Sequence, residues 1–206
     1  MGSRARAFSR RGGGGRLHVT AAVLLFVLLH AARGMAGQSA PDVIVREEKG
    51  VYTVSARFEI AQPPSVALAV LTDYDQIPRF MPEVETSVVR ERGGAHVVVE
   101  QDAVARLMMF SKRLHLVLEI EERPDALIFT DRSRFSFVRY EGAWRLSQRD
   151  GHTSISYELA AEPSFDVPAL VLKRLLRRDS GRMIERLQQE IAVRAALRAA
   201  LTQASQ

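Results

Sequence analysis

The sequence predicts an α+β domain: a curved antiparallel β-sheet wrapped around a long C-terminal α-helix, with two short helices after the first strand. Three observations predict it. Between about residue 83 and residue 162, short segments alternate apolar with polar residues and are separated by turn signals, the pattern of consecutive antiparallel strands. Residues 168–198 carry apolar side chains at helical spacing. Between the opening strands and that run lies AQPPSVALAVLTDYDQIPRFMP, whose prolines leave room only for short helical pieces.

The elements follow in order. Residues 1–16 hold Arg4, Arg6, Arg10, Arg11 and Arg16 and no acid, and LHVTAAVLLFVLLHAA follows. A membrane-spanning helix needs about 20 apolar residues. A basic segment, a short apolar segment and the small pair Gly34 and Ala36 predict a secretory signal peptide over 1–36, cut after Ala36, with an uncleaved anchor as the alternative. The chain would then be exported, and periplasmic in a bacterium. Residues 37–50 form a lead-in and a short strand, 51–199 the domain and 200–206 a fraying tail.

The net charge of +5 belongs to that leader. Residues 1–36 contain six of the 29 basic residues and none of the 24 acidic ones, so the remainder is close to neutral. The basic balance that would suggest nucleic-acid binding disappears with it. The chain has no cysteine, which excludes disulfides and thiolate metal sites.

In VIVREEKGVYTVSARFEI, Lys49–Gly50 marks a hairpin turn. Tyr52, Val54, Ala56, Phe58 and Ile60 alternate with Thr53, Ser55, Arg57 and Glu59, so one face of the strand is buried. Pro63 and Pro64 end that strand and suit the first turn of a helix. Six strands follow, with turns at Gly93–Gly94, Pro124–Asp125 and Asp150–Gly151 among them. Pro163 and Pro168 close the run. Leu172, Leu175, Leu176, Met183, Ile184, Leu187 and Ile191 then form one helical stripe, and Asp179-Ser180-Gly181 predicts a kink or a break within it. A bent sheet needs a cover for its buried face. The C-terminal helix is the one element long enough, and laid across a bent sheet it leaves a wedge-shaped space.

FEIAQPPSVALAVLTDYDQIPRFMPEVETSVV, EGAWRL and EPSFDVPALVLKRLLRRD resemble the START-like (SRPBCC, helix-grip, Bet v 1-like) superfamily, and within it the coenzyme Q-binding and polyketide cyclase branch. The resemblance runs from about Tyr52 to Ala195. It implies the helix-grip fold and an internal cavity for an apolar molecule such as a quinone, lipid, sterol or polyketide. The leader departs from the cytosolic and mitochondrial members.

Candidate chemistry is sparse. The five histidines show no metal-binding spacing. No nucleophile elbow or Walker motif occurs, and no metal or cofactor is expected. Asp73 and Asp75 read as helix caps or turn formers. Arg79 is a rim cation that can meet a polar ligand group or pair with Asp75 or Glu83. Gln101 shares a face with Val97, Val99, Ala103 and Ala105, and its amide would need a partner from a ligand or from the protein. Phe80, Met81, Leu107, Met108, Met109, Phe110, Phe129, Phe135, Phe137, Trp144, Leu172, Leu176 and Met183 are candidate cavity walls, with plain core packing as the alternative for each. Lys173, Arg174, Arg177, Arg178 and Arg182 give the helix a basic face that would suit an anionic membrane. The expected partner is an apolar small molecule. A cyclase or dehydratase enzyme and a protein-interaction module are the alternatives.

Overall fold

A computed structural model of the chain describes residues 41–107 and 109–205. The segment read as a signal peptide lies outside the described residues, as do the start of the lead-in and Met108.

Eight strands form one antiparallel sheet in the order β1-β2-β8-β7-β6-β5-β4-β3. Strands β1 (Asp42–Glu48) and β2 (Val51–Ile60) come first, followed by helix α1 (Pro64–Leu71), a 3-10 turn (Tyr74–Gln76) and helix α2 (Ile77–Phe80). The meander β3 (Val84–Gly93), β4 (His96–Leu107), β5 (Phe110–Glu122), β6 (Ala126–Asp131), β7 (Phe137–Arg149) and β8 (His152–Pro163) completes the sheet, and α3 (Ala169–Ala204) ends the chain. The sheet is curved, as in the helix-grip fold.

Local chemistry places the turns. Lys49 and Gly50, and again Asp150 and Gly151, all have positive φ, the combination a tight two-residue hairpin needs for its strands to keep their right-handed twist. Pro63 stands extended at the cap of α1 and Pro64 opens the helix, where a missing N–H costs nothing. Thr72 ends α1, its hydroxyl donating to the Leu68 carbonyl at 2.8 Å.

Alternation along each strand sends one set of side chains toward α3. Tyr52, Val54, Ala56, Phe58 and Ile60 of β2 are buried while the residues between them are exposed. Gly142 is required by close approach. It pairs with Phe129 across β6–β7, and a Cβ there would stand 2.2 Å from the Glu158 carbonyl oxygen and 2.6 Å from the Phe129 ring.

Helix α3 runs unbroken through Asp179, Ser180 and Gly181, so it does not divide into two helices there. A Gly in a helix costs about 1 kcal/mol against Ala. Buried Leu175 on one side and Ile184 and Leu187 on the other offset that cost by packing. The helix also continues past residue 200, to Ala204. Four polar ties hold it in place. Lys173 meets Glu47 of β1 at 3.6 Å, Arg178 donates to the Arg106 carbonyl of β4, Arg186 pairs with Glu83 before β3, and Arg194 pairs with Asp73 after α1 at 2.6 Å. Pairs as exposed as these contribute about 0–1 kcal/mol each, so they orient the helix more than they stabilise it.

Candidate functional site

The face of the sheet that looks toward α3 has two kinds of surface. On β2, β8, β7 and β6 it is closely packed. Trp144 lies against Tyr157, with ring centroids 4.4 Å apart, and edge-on to Phe58 at 6.5 Å. Tyr140 stacks on Phe137 at 4.8 Å and on Phe129 at 6.0 Å. Phe129, Phe137 and Trp144 are all buried.

On β3, β4 and β5 the same face is looser. Register aligns Val84 with Ala103 and Ala103 with Leu114, one row across three strands. All three stay half-buried although they point inward. Across from them, Leu176 and Met183 of α3 pack on the core and are also half-buried. Leu114 and Leu176 meet at one buried cluster of Tyr52, Ala105, Leu172 and Leu175. Inward apolar side chains on these two facing elements thus pack on the core while keeping some accessible surface. Phe80, half-buried, and Met81, buried, pack on the same core from α2 and the residue after it.

Polar groups are few here. On β7 and β8 the Tyr140 and Tyr157 phenols lie near enough to influence each other's ionisation. Burial pushes the Tyr140 phenol up to about 12, and burial pushes Tyr157 well above its ordinary value. Both therefore stay protonated near neutral pH and can donate, but neither can act as a base. Asp131, near Tyr140, is engaged by the Val117 N–H at 2.8 Å, the Ser133 N–H at 3.0 Å and the Ser133 hydroxyl at 3.0 Å. Gln188 of α3 is buried, and its Nε2 has no partner among the described residues. A buried donor left unpaired costs about 1–3 kcal/mol, and a carbonyl on a bound molecule would relieve that.

Several expected site residues stand elsewhere. Met109 is fully exposed at the β4–β5 hairpin tip and lines no interior, because the chain turns there and the alternation of faces ends. Phe135 is likewise exposed, in the loop before β7. Arg79 is exposed on α2 and makes no ion pair among the described residues. Gln101 does face inward, and its Nε2 donates to the Ser87 hydroxyl at 3.0 Å, so a protein group satisfies that donor. Leu172 is buried in the cluster with Tyr52. Met108 and the side chains of Leu107 and Phe110 lie outside what the structure describes.

Asp73 stands at the N-cap position of the 3-10 turn without a side-chain capping bond, its carbonyl accepting the Gln76 N–H at 3.0 Å, and Asp75 lies within that turn. Asp73 receives Arg194, and Asp75 accepts the Val89 N–H at 3.0 Å, which ties the 3-10 turn to β3. His115 points to the outer face, where its Nδ1 meets Asp102 at 2.9 Å. That contact, with a hydrogen bond from Thr86, holds the Asp102 carboxyl below its usual range.

Sequence reasoning overlooked Gln188, Tyr140 and Tyr157. Gln188 lies within the buried stripe beside Ile184, Leu187 and Ile191, so a polar residue inside an apolar stripe was the available signal. The sheet carries a shallow depression of about 590 Å³ over β2, β8, β7 and β6, lined by both polar and apolar residues, and the Arg145–Glu158 pair at 2.8 Å borders it.

Comparison with known proteins agrees with this architecture. A family model described as polyketide cyclase / dehydrase and lipid transport matches residues 60–188. No curated protein matches. Among solved structures, the chain resembles TTHA0849 from Thermus thermophilus, with 23% identity over 71% of this chain and 98% of that one and a TM-score of 0.57. It resembles the Zhui aromatase/cyclase from Streptomyces sp. R1128 at 14% identity over 70% and 96%, with a TM-score of 0.61. It also resembles a STAR-related lipid transfer protein from Xanthomonas axonopodis at 13% identity over 74% and 99%, with a TM-score of 0.56. These likenesses show the shared fold.

Proposed function

The chain belongs to the polyketide cyclase / dehydrase and lipid transport family, and on that premise we propose that it binds an apolar small molecule, a lipid or isoprenoid quinone, between the sheet and α3. The observation that carries this reading is the row Val84, Ala103 and Leu114 on the sheet with Leu176 and Met183 on α3, inward on both sides and only half-buried. Gln188 of α3 would offer a hydrogen-bond donor to one polar group on an otherwise apolar body. Apolar walls with a few placed donors suit such a ligand. The likeness to a STAR-related lipid transfer protein supports this class.

A second reading is a cyclase or dehydratase that uses the same space between sheet and α3, favoured by the aromatase/cyclase likeness. It needs a group that moves a proton near neutral pH. The phenols that face inward are raised and stay neutral, and Asp131 is taken up by backbone and serine donors, so we favour binding over turnover.

The protein would work after export, with 1–36 removed, on the strength of the basic and apolar segments of its leader. Intact mass of the protein recovered from the exported fraction should begin at Gly37, and a mass that retains residues 1–36 would reject cleavage. For the ligand, organic extraction of the purified protein followed by mass spectrometry should return one class of apolar molecule in near-stoichiometric amount. Extracts that match those of an unrelated protein purified alongside would reject the reading.

A further inference from the structure

One end of the molecule exposes large apolar side chains from several separate segments. Met109 at the β4–β5 tip is 101% exposed, Phe135 and Val138 around the β6–β7 connection are 74% and 54% exposed, and Leu170 in the first turn of α3 is 77% exposed. Contacts place these segments together. The Ser164 hydroxyl donates to the Phe135 carbonyl at 2.9 Å, just before α3. Lys112, beside the β4–β5 tip, lies over the Phe165 ring at 4.7 Å. Arg178 of α3 reaches the Arg106 carbonyl near the same tip, and the Phe135 ring meets His115 of β5 edge-on at 6.0 Å.

Unpaired charge around this end is mostly positive. Lys49, Lys112, Arg113, Arg134, Arg174 and Arg177 make no ion pair among the described residues, against Glu48, Glu162 and Asp166. Glu47 is held by Lys173, and Asp179 by Arg178.

We infer that this end docks on an anionic lipid bilayer. Met109, Phe135, Val138 and Leu170 enter the headgroup–acyl boundary, and the cations face the acidic lipids. Scattered exposed apolar residues need no explanation, but four protrusions from neighbouring segments among unpaired cations make a surface suited to a charged, deformable apolar phase. Self-association fits worse, because pairing two copies through this end would bring like charges together. The gap proposed to hold the ligand lies behind the same end, next to the Tyr52–Ala105–Leu172–Leu175 cluster. The docking argument stands without a ligand, so either idea can fail alone.

The absence of cysteine gives a direct test. Met109→Cys, Phe135→Cys and Leu170→Cys in the full chain would each carry a single environment-sensitive fluorophore, with Gln148→Cys at the opposite end as reference. On vesicles of phosphatidylcholine and phosphatidylglycerol the three end labels should shift to the blue and be quenched by nitroxide lipids, while the reference label stays in water. Phosphatidylcholine alone should give a weaker response. Arg113→Gln, Arg134→Gln and Arg174→Gln should each weaken the anionic response about fivefold. End labels that stay in water on anionic vesicles, or a reference label that responds equally, would overturn the proposal. So would a concentration-dependent shift without vesicles, which would assign the surface to a second copy of the chain.

Discussion

The two ends of the sheet–helix layer are built on opposite terms. At the α1–α2 end, side chains are tied to one another. Tyr74 is buried and donates to Glu122 at 3.0 Å, Arg92 pairs with the same carboxylate at 3.2 Å, and Arg194 bridges Asp73 and Glu190. Burial and the neighbouring Glu122 push the Tyr74 phenol far above its usual range. At the other end, apolar side chains stand in solvent and cations lack partners among the described residues. Interactions at the first end are satisfied within the chain, so substitutions there should cost stability. The second end leaves its surface free, so substitutions there should leave stability alone and change what the protein meets.

The largest expected effects are in the packed region common to both. Ile184→Ala, under the tied half of α3, should destabilise by about 2–5 kcal/mol in urea unfolding. Gly142→Ala should cost about 1–3 kcal/mol, because the new methyl must displace the Glu158 carbonyl or the Phe129 ring. A wild-type midpoint for either variant would break the packing account. Tyr74→Phe at the closed end should cost about 1 kcal/mol by the loss of one hydrogen bond to a carboxylate. Met109→Ser at the open end should stay within about 0.5 kcal/mol of wild type. If these two variants proved equally costly, the contrast between the ends would fail. Phe80→Ala, on α2, should weaken retention of extracted ligand more than it lowers the unfolding midpoint.

The buried phenols give a pH signature. Tyr140 ionises near 12 when folded and near 10 when unfolded, so between those values the native state holds more protons. Stability is therefore full below pH 10 and falls as pH rises toward 12, and Tyr157 adds to the same slope. Tyr140→Phe should flatten this limb in denaturant titrations between about pH 9 and pH 11. Asp102 gives the smallest effect and the opposite sign. Its folded value is depressed, so its contribution is present above the ordinary carboxylate range and lost as pH falls through it. Its exposure keeps that contribution slight.

Much of the fold was legible because local and global preferences agree in this chain. Period-two alternation in β2 and β5, Lys49–Gly50, Asp150–Gly151 and the stripe from Leu172 to Ile191 each indicate one structure. The site was less legible. Met109 and Phe135 have the composition of cavity walls, but composition does not say that a hairpin tip has turned outward. The expected break at Asp179–Gly181 failed because intrinsic propensity is small beside packing on both flanks. Gln188, Tyr140 and Tyr157 went unread because their interest lies in burial and in which donors lack partners, and neither is a local property of sequence.

The central claim is a ligand-holding gap between β3–β5 and α3, and Ala103 sits in the middle of its half-buried row. Native mass spectrometry of the purified wild-type protein beside Ala103→Trp tests it most directly. The account predicts added mass on the wild type that organic solvent removes, and its loss in a folded Ala103→Trp protein whose gap is filled by the indole. A wild type that carries no added mass, or an Ala103→Trp variant that retains it in full, would contradict the account.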